Sequence, residues 1–139
     1  MILFVCSRGR LRSRTGELLC LFGGLDARSA GIDREADVPL SDTLVRQASL
    51  IVCMERIHLQ AVTLFQHYGN CPVVQLGIPD EFDRLQRELV RDIIYHVRFH
   101  SGPVADAMAR GAALLAAQPG YLAALGTGTV APAPTALPS

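Results

Sequence analysis

Met1-Ile-Leu-Phe-Val-Cys6-Ser7-Arg8-Gly9-Arg10-Leu11-Arg12-Ser13 opens the chain. An apolar run ends at a cysteine. A short polar loop comes next, then Arg12, Ser13 and a helix-forming run from Thr15 to Phe22. A continuous apolar run of this length reads as a parallel strand buried on both faces, and the polar residues after it as a loop wrapping onto a helix N-terminus. Such a loop points backbone N–H groups and the positive end of a helix dipole at one spot. That spot suits an anion, and phosphate is the usual one. The dipole and the nearby guanidinium groups favour the thiolate of a cysteine placed there. Arg12 offers a planar fork able to grip two oxygens of a phosphoryl group. These residues imply nucleophilic attack by Cys6 on a phosphate ester.

Outward from this stretch, strands and helices alternate. Residues 1–6, 26–31, 50–54 and 72–76 read as strands. Helices are expected over 13–23, 43–48 (capped by Ser41), 55–67, 82–99 and 103–118. The inward faces would be Leu18, Leu19, Leu21 and Phe22 on the first helix and Ile57, Ala61, Leu64 and Phe65 on the third. On the fourth, Leu85, Leu89, Ile93 and Val97 recur at helical spacing, and on the last Val104, Met108, Ala112 and Leu115 do. The fold class is therefore α/β: an open four-stranded parallel sheet with helices on both faces and right-handed crossovers. Ligands of such sheets bind beyond the carboxyl ends of the strands, where Cys6 and Asp80 both fall.

Composition sets the bounds. The chain has 139 residues, half of them hydrophobic and 19% charged, as in a globular protein with a real core. Formal net charge is zero, so nothing steers the chain toward nucleic acid or an anionic membrane. All 13 basic residues are arginines, which lowers the weight of any single one. The opening apolar run is too short for a signal peptide or membrane span, and the four cysteines do not form a disulfide framework. A cytoplasmic location is expected. Cys20 and Cys53 read as packing residues. The four histidines read as surface groups rather than metal ligands, although His96 and His100 share a helix face. Glu55 and Asp83 read as charges at helix N-termini.

A Cys and an Arg six residues apart are a weak signal in so arginine-rich a chain, but the context adds to it. Val5-Cys6 to Arg12-Ser13 resembles the phosphate-binding loop of the low-molecular-weight protein tyrosine phosphatase family. Ala27-Arg-Ser-Ala-Gly31, Ala48 to Glu55 and Ile78-Pro-Asp80-Glu81-Phe82 resemble, in order, its second strand, its third strand with the following helix start, and its general-acid loop. The resemblance covers residues 1–100, which would form a phosphatase-like α/β domain. Residues 101–139 would be an Ala/Gly/Pro-rich extension, a helix followed from 126 by a disordered tail.

The resemblance implies a phosphatase acting on aryl phosphate monoesters, phosphotyrosine in proteins foremost, through a cysteinyl-phosphate. Cys6 would be the nucleophile, Arg12 the phosphate clamp and Asp80 the general acid. The loop Ser7, Arg8, Gly9, Arg10, Leu11, Arg12 and Ser13 would cradle the phosphate, with Ser13 also hydrogen-bonded to Cys6 or capping the helix. Phe82 would wall the substrate ring. Arg8, Arg10 and Arg14 are rim charges or solvated bystanders. No metal or organic cofactor is required, and the protein would be a monomer or weak homodimer. Three departures stand out: Gly9 where the family usually has Asn, Leu11 where many members carry a second cysteine, and Glu81 in place of Pro. Alternatives are a thiol-dependent arsenate reductase of the same fold, which would need relay cysteines, and a catalytically weak phosphate- or phosphotyrosine-binding module. An RNA-binding role for the arginine-rich loop lacks aromatic platforms and a basic excess.

Overall fold

The computed structural model describes residues 1–118. Four parallel strands, β1 (Ile2–Cys6), β2 (Ala27–Gly31), β3 (Leu50–Cys53) and β4 (Val73–Gln75), form one sheet in the order β2-β1-β3-β4. Ile2 pairs with both Ala27 and Leu50, so β1 is central and the register brings Cys6 level with Gly31. The strand order reverses direction beside β1, and Cys6 therefore ends at the switch point of the sheet.

Alternation along the central strands sorts the core into two layers. Ile2, Phe4, Cys6, Val52 and Met54 face α1 (Arg12–Phe22), α4 (Arg87–Arg98) and α5 (Gly102–Ala116). Leu3, Val5, Ile51 and Cys53 face α2 (Asp42–Gln47) and α3 (Arg56–Val62). Helices thus cover both faces, as a parallel sheet requires. Leu89, Ile93 and Val97 of α4 are buried at helical spacing, and Ala105, Met108 and Leu115 of α5 join the same cluster. Cys20 and Cys53 are buried packing thiols, as expected, and burial pushes both up to about 12. Among the described residues no helix is long and apolar enough to cross a membrane.

Two helix boundaries depart from the hydrophobic pattern. The third helix stops at Val62, not at 67, and continues as turns in which Leu64, Phe65 and Tyr68 donate to carbonyls three residues back. Asp42 diverts the segment by accepting from the His67 backbone N–H at 3.0 Å and pairing with its ring. Leu64 is consequently exposed rather than inward, and Ile57 is exposed too because α3 turns His58 and Val62 to the core instead. The fourth helix starts at Arg87, not at 82. Gln86 closes a turn onto the Asp83 carbonyl, and Leu85 takes φ +58 with its N–H bonded to Thr15 Oγ1 at 3.0 Å. Leu85 reaches the core from a turn, which its spacing alone cannot distinguish from a helix. Asp83 therefore precedes the first helical turn, where Glu88 stands instead. The expected tail at 126–139 lies outside the described residues.

Candidate active site

The loop after β1 is built with its carbonyls turned outward. Cys6, Ser7 and Arg8 give their carbonyls to the N–H groups of Ile32, Asp33 and Asp37. The Arg10 carbonyl accepts from Arg84 Nε at 2.7 Å, and that of Leu11 accepts from Thr15 through both N–H and hydroxyl. Peptide geometry sends the N–H groups the other way, and those of Arg8, Arg10 and Leu11 take no protein acceptor among the described residues. Gly9 makes the turn possible. It sits at φ +71, a left-handed conformation that costs glycine nothing, and an added Cβ would lie 3.1 Å from the Ala30 carbonyl carbon.

Cys6 lies at the floor of this loop, 3% exposed. The Gly9 N–H donates to its sulfur at 3.2 Å, and Ser13 Oγ lies 2.9 Å away. Ser13 is buried inside α1 and is not its cap; the helix begins one residue earlier, after Leu11, with no side-chain cap. Arg12 is 1% exposed. Its Nη1 donates to the Ile78 carbonyl at 2.8 Å and lies 3.3 Å from Glu55, while its Nε faces Asp80 at 3.7 Å. A charge so deeply buried is tolerable only when paired and hydrogen-bonded in this way. The loop carrying Asp80 is itself an extension of the sheet: Leu76 and Ile78 donate to the carbonyls of Cys53 and Met54.

Cys6, Arg12 and Asp80 thus meet in a cleft of about 670 Å³, as the topology requires. Ser7, Arg8, Arg10 and Leu11 also line it. Arg8 and Arg10 are neither free rim charges nor bystanders. Arg8 pairs with Asp33 at 3.6 Å and Arg10 with Asp37 at 2.9 Å, so both clasp the segment between β2 and α2. Arg14 pairs with Glu17, beside Ser29. Phe82 is half-buried against the apolar cluster beneath the sheet, and the cleft lining does not include it. Its neighbour Arg84 lines the cleft instead and is buried there. Burial, together with Arg14, lowers the Arg84 guanidinium from its ordinary value.

Two functional-looking residues carried other readings in the sequence. Glu55 is not only a helix-terminal charge, because it pairs with Arg12. His58 is fully buried, not a surface group. Its Nδ1 lies 3.0 Å from the Glu55 N–H and its Nε2 3.2 Å from Ser7 Oγ. Burial, with the Arg12 charge behind it, pulls its pKa down to about 4. The spacing Met54-Glu55-x-x-His58 was the available signal, a helix start whose third residue can bond back to the cap. No group of three or more His, Cys, Asp or Glu suited to a metal occurs among the described residues. Cys20 and Cys53 lie in the core, and Cys71 packs beside the opposite layer.

No family model and no curated protein matches the chain. Solved structures do. A low-molecular-weight protein tyrosine phosphatase from T. tengcongensis is similar over 78% of this chain and 95% of that one, at 14% identity and a TM-score of 0.53. Wzb from Escherichia coli K30, a tyrosine phosphatase in complex with phosphate, is 22% identical, covering 80% and 88%, at 0.51. Vibrio vulnificus Wzb in complex with benzylphosphonate is 23% identical, covering 84% and 97%, at 0.50. This chain has the low-molecular-weight protein tyrosine phosphatase fold. In that fold the loop after β1 and the segment after β4 face one another across the carboxyl edge of the sheet, here as Cys6 to Ser13 and Ile78 to Arg84.

Proposed function

We propose that the protein is a phosphoric monoester hydrolase acting on aryl phosphates, phosphotyrosine in proteins foremost, through a cysteinyl-phosphate. The observation that carries this reading is the Cys6 sulfur, bonded by Gly9 and Ser13 at the floor of a loop whose carbonyls face away. Phosphate and benzylphosphonate, the ligands of the two Wzb neighbours, have the tetrahedral shape this loop would accept.

In the first step the Cys6 sulfur attacks phosphorus in line and the bond to the leaving oxygen breaks. The loop N–H groups and the Nε/Nη2 edge of Arg12 hold the three equatorial oxygens, where charge spreads in the transition state. Asp80 donates a proton to the departing phenol oxygen. In the second step its carboxylate takes a proton from water, which attacks phosphorus. The P–S bond breaks, inorganic phosphate leaves and the thiolate returns.

The test is hydrolysis of p-nitrophenyl phosphate by the wild type and by Cys6→Ser. The wild type should turn over, and Cys6→Ser should not, while still binding vanadate. Iodoacetate should alkylate Cys6 ahead of Cys20, Cys53 and Cys71, whose thiols burial pushes up, the first two to about 12. Vanadate binding by a wild type that shows no turnover would identify a phosphate-binding relative instead. Arsenate reduction supported by thioredoxin would identify the reductase.

A further inference from the structure

Ser7 sits in the cleft wall immediately after the proposed nucleophile, and its hydroxyl has one protein partner among the described residues, His58 Nε2 at 3.2 Å. The direction of that bond is set by the other side of the ring. The Glu55 backbone N–H is an obligate donor and points at Nδ1 at 3.0 Å, so Nδ1 must be the acceptor. A neutral imidazole with Nδ1 accepting carries its proton on Nε2. Burial and the Arg12 charge keep this imidazole neutral at ordinary pH. Nε2–H therefore donates to Ser7 Oγ. With an Oγ lone pair occupied, the Ser7 O–H is left to donate elsewhere. The Ser7 carbonyl is held outward by the Asp33 N–H, which fixes the residue against the cleft.

We propose that Ser7 is a side-chain donor to the tetrahedral oxyanion in the cleft, aimed there by His58, whose tautomer is set by the Glu55 backbone. Ser7 touches the ligand; His58 is a positioning residue that acts through it. The inference rests on the phosphatase reading for the identity of the oxyanion, and adds to it a relay from the third helix to the phosphate loop. The relay gives His58 a reason to be fully buried beside an arginine, a placement that packing alone would fill better with a leucine.

The two ring nitrogens make the proposal separable from simple loop anchoring. In His58→Asn the amide oxygen can still accept from the Glu55 N–H but the side chain is too short for Ser7. In His58→Gln the longer amide reaches toward Ser7 and abandons the cap. Affinity for inorganic phosphate and for vanadate is measured by calorimetry on the full chain, with p-nitrophenyl phosphate kinetics alongside. Ser7→Ala should weaken oxyanion binding about tenfold, as expected for one hydrogen bond to a charged group. His58→Asn should weaken it to a similar degree, and the Ser7→Ala/His58→Asn pair should be no worse than either alone. Ser7→Thr and His58→Gln should each recover part of the loss. Phosphate affinity unchanged in Ser7→Ala, or additive losses in the pair, would overturn the relay while leaving the phosphatase reading intact. A wild type that binds neither phosphate nor vanadate would overturn both.

Discussion

Arg12 combines two tasks that a lysine cannot. One edge of its guanidinium ties the loop of Asp80 to the phosphate loop through the Ile78 carbonyl and Glu55; the other faces the cleft. Arg12→Lys keeps the charge but cannot hold both edges. Turnover should fall about 100–1,000-fold, the usual consequence of losing a preorganised oxyanion donor. Steady-state kinetics on p-nitrophenyl phosphate check this, with the charge-removing Arg8→Gln as the control. An equal loss there would mean that loop charge, not geometry, matters. Asp80 and Asp83 are told apart by the leaving group. A general acid matters most when the departing oxygen is basic, so Asp80→Asn should slow phenyl phosphate hydrolysis strongly and p-nitrophenyl phosphate much less. Asp83 opens the turn that precedes α4 and stands outside the helix's first turn, so Asp83→Asn should change neither rates nor melting temperature. A leaving-group dependence that tracked Asp83 would reassign the acid. At this scale the sequence was legible where chemistry and topology coincide: Cys6, Arg12 and Asp80 were expected at one edge of the sheet, and they line one cleft. Glu55 and His58 were not, because such a pair at a helix start looks like ordinary capping until the fold buries His58 and brings Ser7 and Arg12 beside it. Arg84 was one of 13 arginines, and nothing local marks the one that reaches back 74 positions to the Arg10 carbonyl.

Elements can be read from periodicity where one face is buried, and are misread where a turn puts the same residue into the core. The strands were legible because β1 and β3 are apolar on both faces. The ends of α3 and α4 were not, since the Asp42–His67 pairing and the left-handed Leu85 are tertiary effects. The contact between α1 and α5 was equally invisible, and it depends on a missing side chain. A Cβ on Gly111 would lie 2.1 Å from the Leu19 carbonyl oxygen. Helix propensity alone favours alanine over glycine by about 0.8–1.0 kcal/mol. A clash with backbone cannot be relieved by a rotamer change, and overpacking of this kind costs about 1–3 kcal/mol. The clash should win, so Gly111→Ala should lower the melting temperature by several degrees. Gly102 has open space at its Cβ position, and Gly102→Ala should not lower it. Thermal unfolding by circular dichroism compares the two. A Gly111→Ala protein as stable as the wild type would mean that α5 shifts freely on α1.

For the whole molecule the question is where the folding unit ends. The sequence motifs that resemble the phosphatases lie within residues 1–100, and a boundary there would make everything after it an appendage. The packing argues otherwise. Ala105, Met108 and Leu115 of α5 are at most 2% exposed and lie in the same cluster as Phe4, Leu18, Leu19 and Ile93. Full burial of Met108 and Leu115 contributes about 1.5–3 kcal/mol each. Their loss would also uncover α1, against a total stability of about 5–15 kcal/mol for a typical domain. A chain cut after residue 100 should therefore be unfolded or aggregated, and inactive even with Cys6, Arg12 and Asp80 present. Cutting after residue 125 removes a Gly/Thr/Ala/Pro sequence with no apolar period, and should change neither melting temperature nor turnover. The two truncations are compared by thermal unfolding and by p-nitrophenyl phosphate hydrolysis. A cooperative, active 1–100 fragment would place the boundary at residue 100 after all and make α5 dispensable. A marked loss on removing 126–139 would show instead that the last residues pack on the domain or on a second copy.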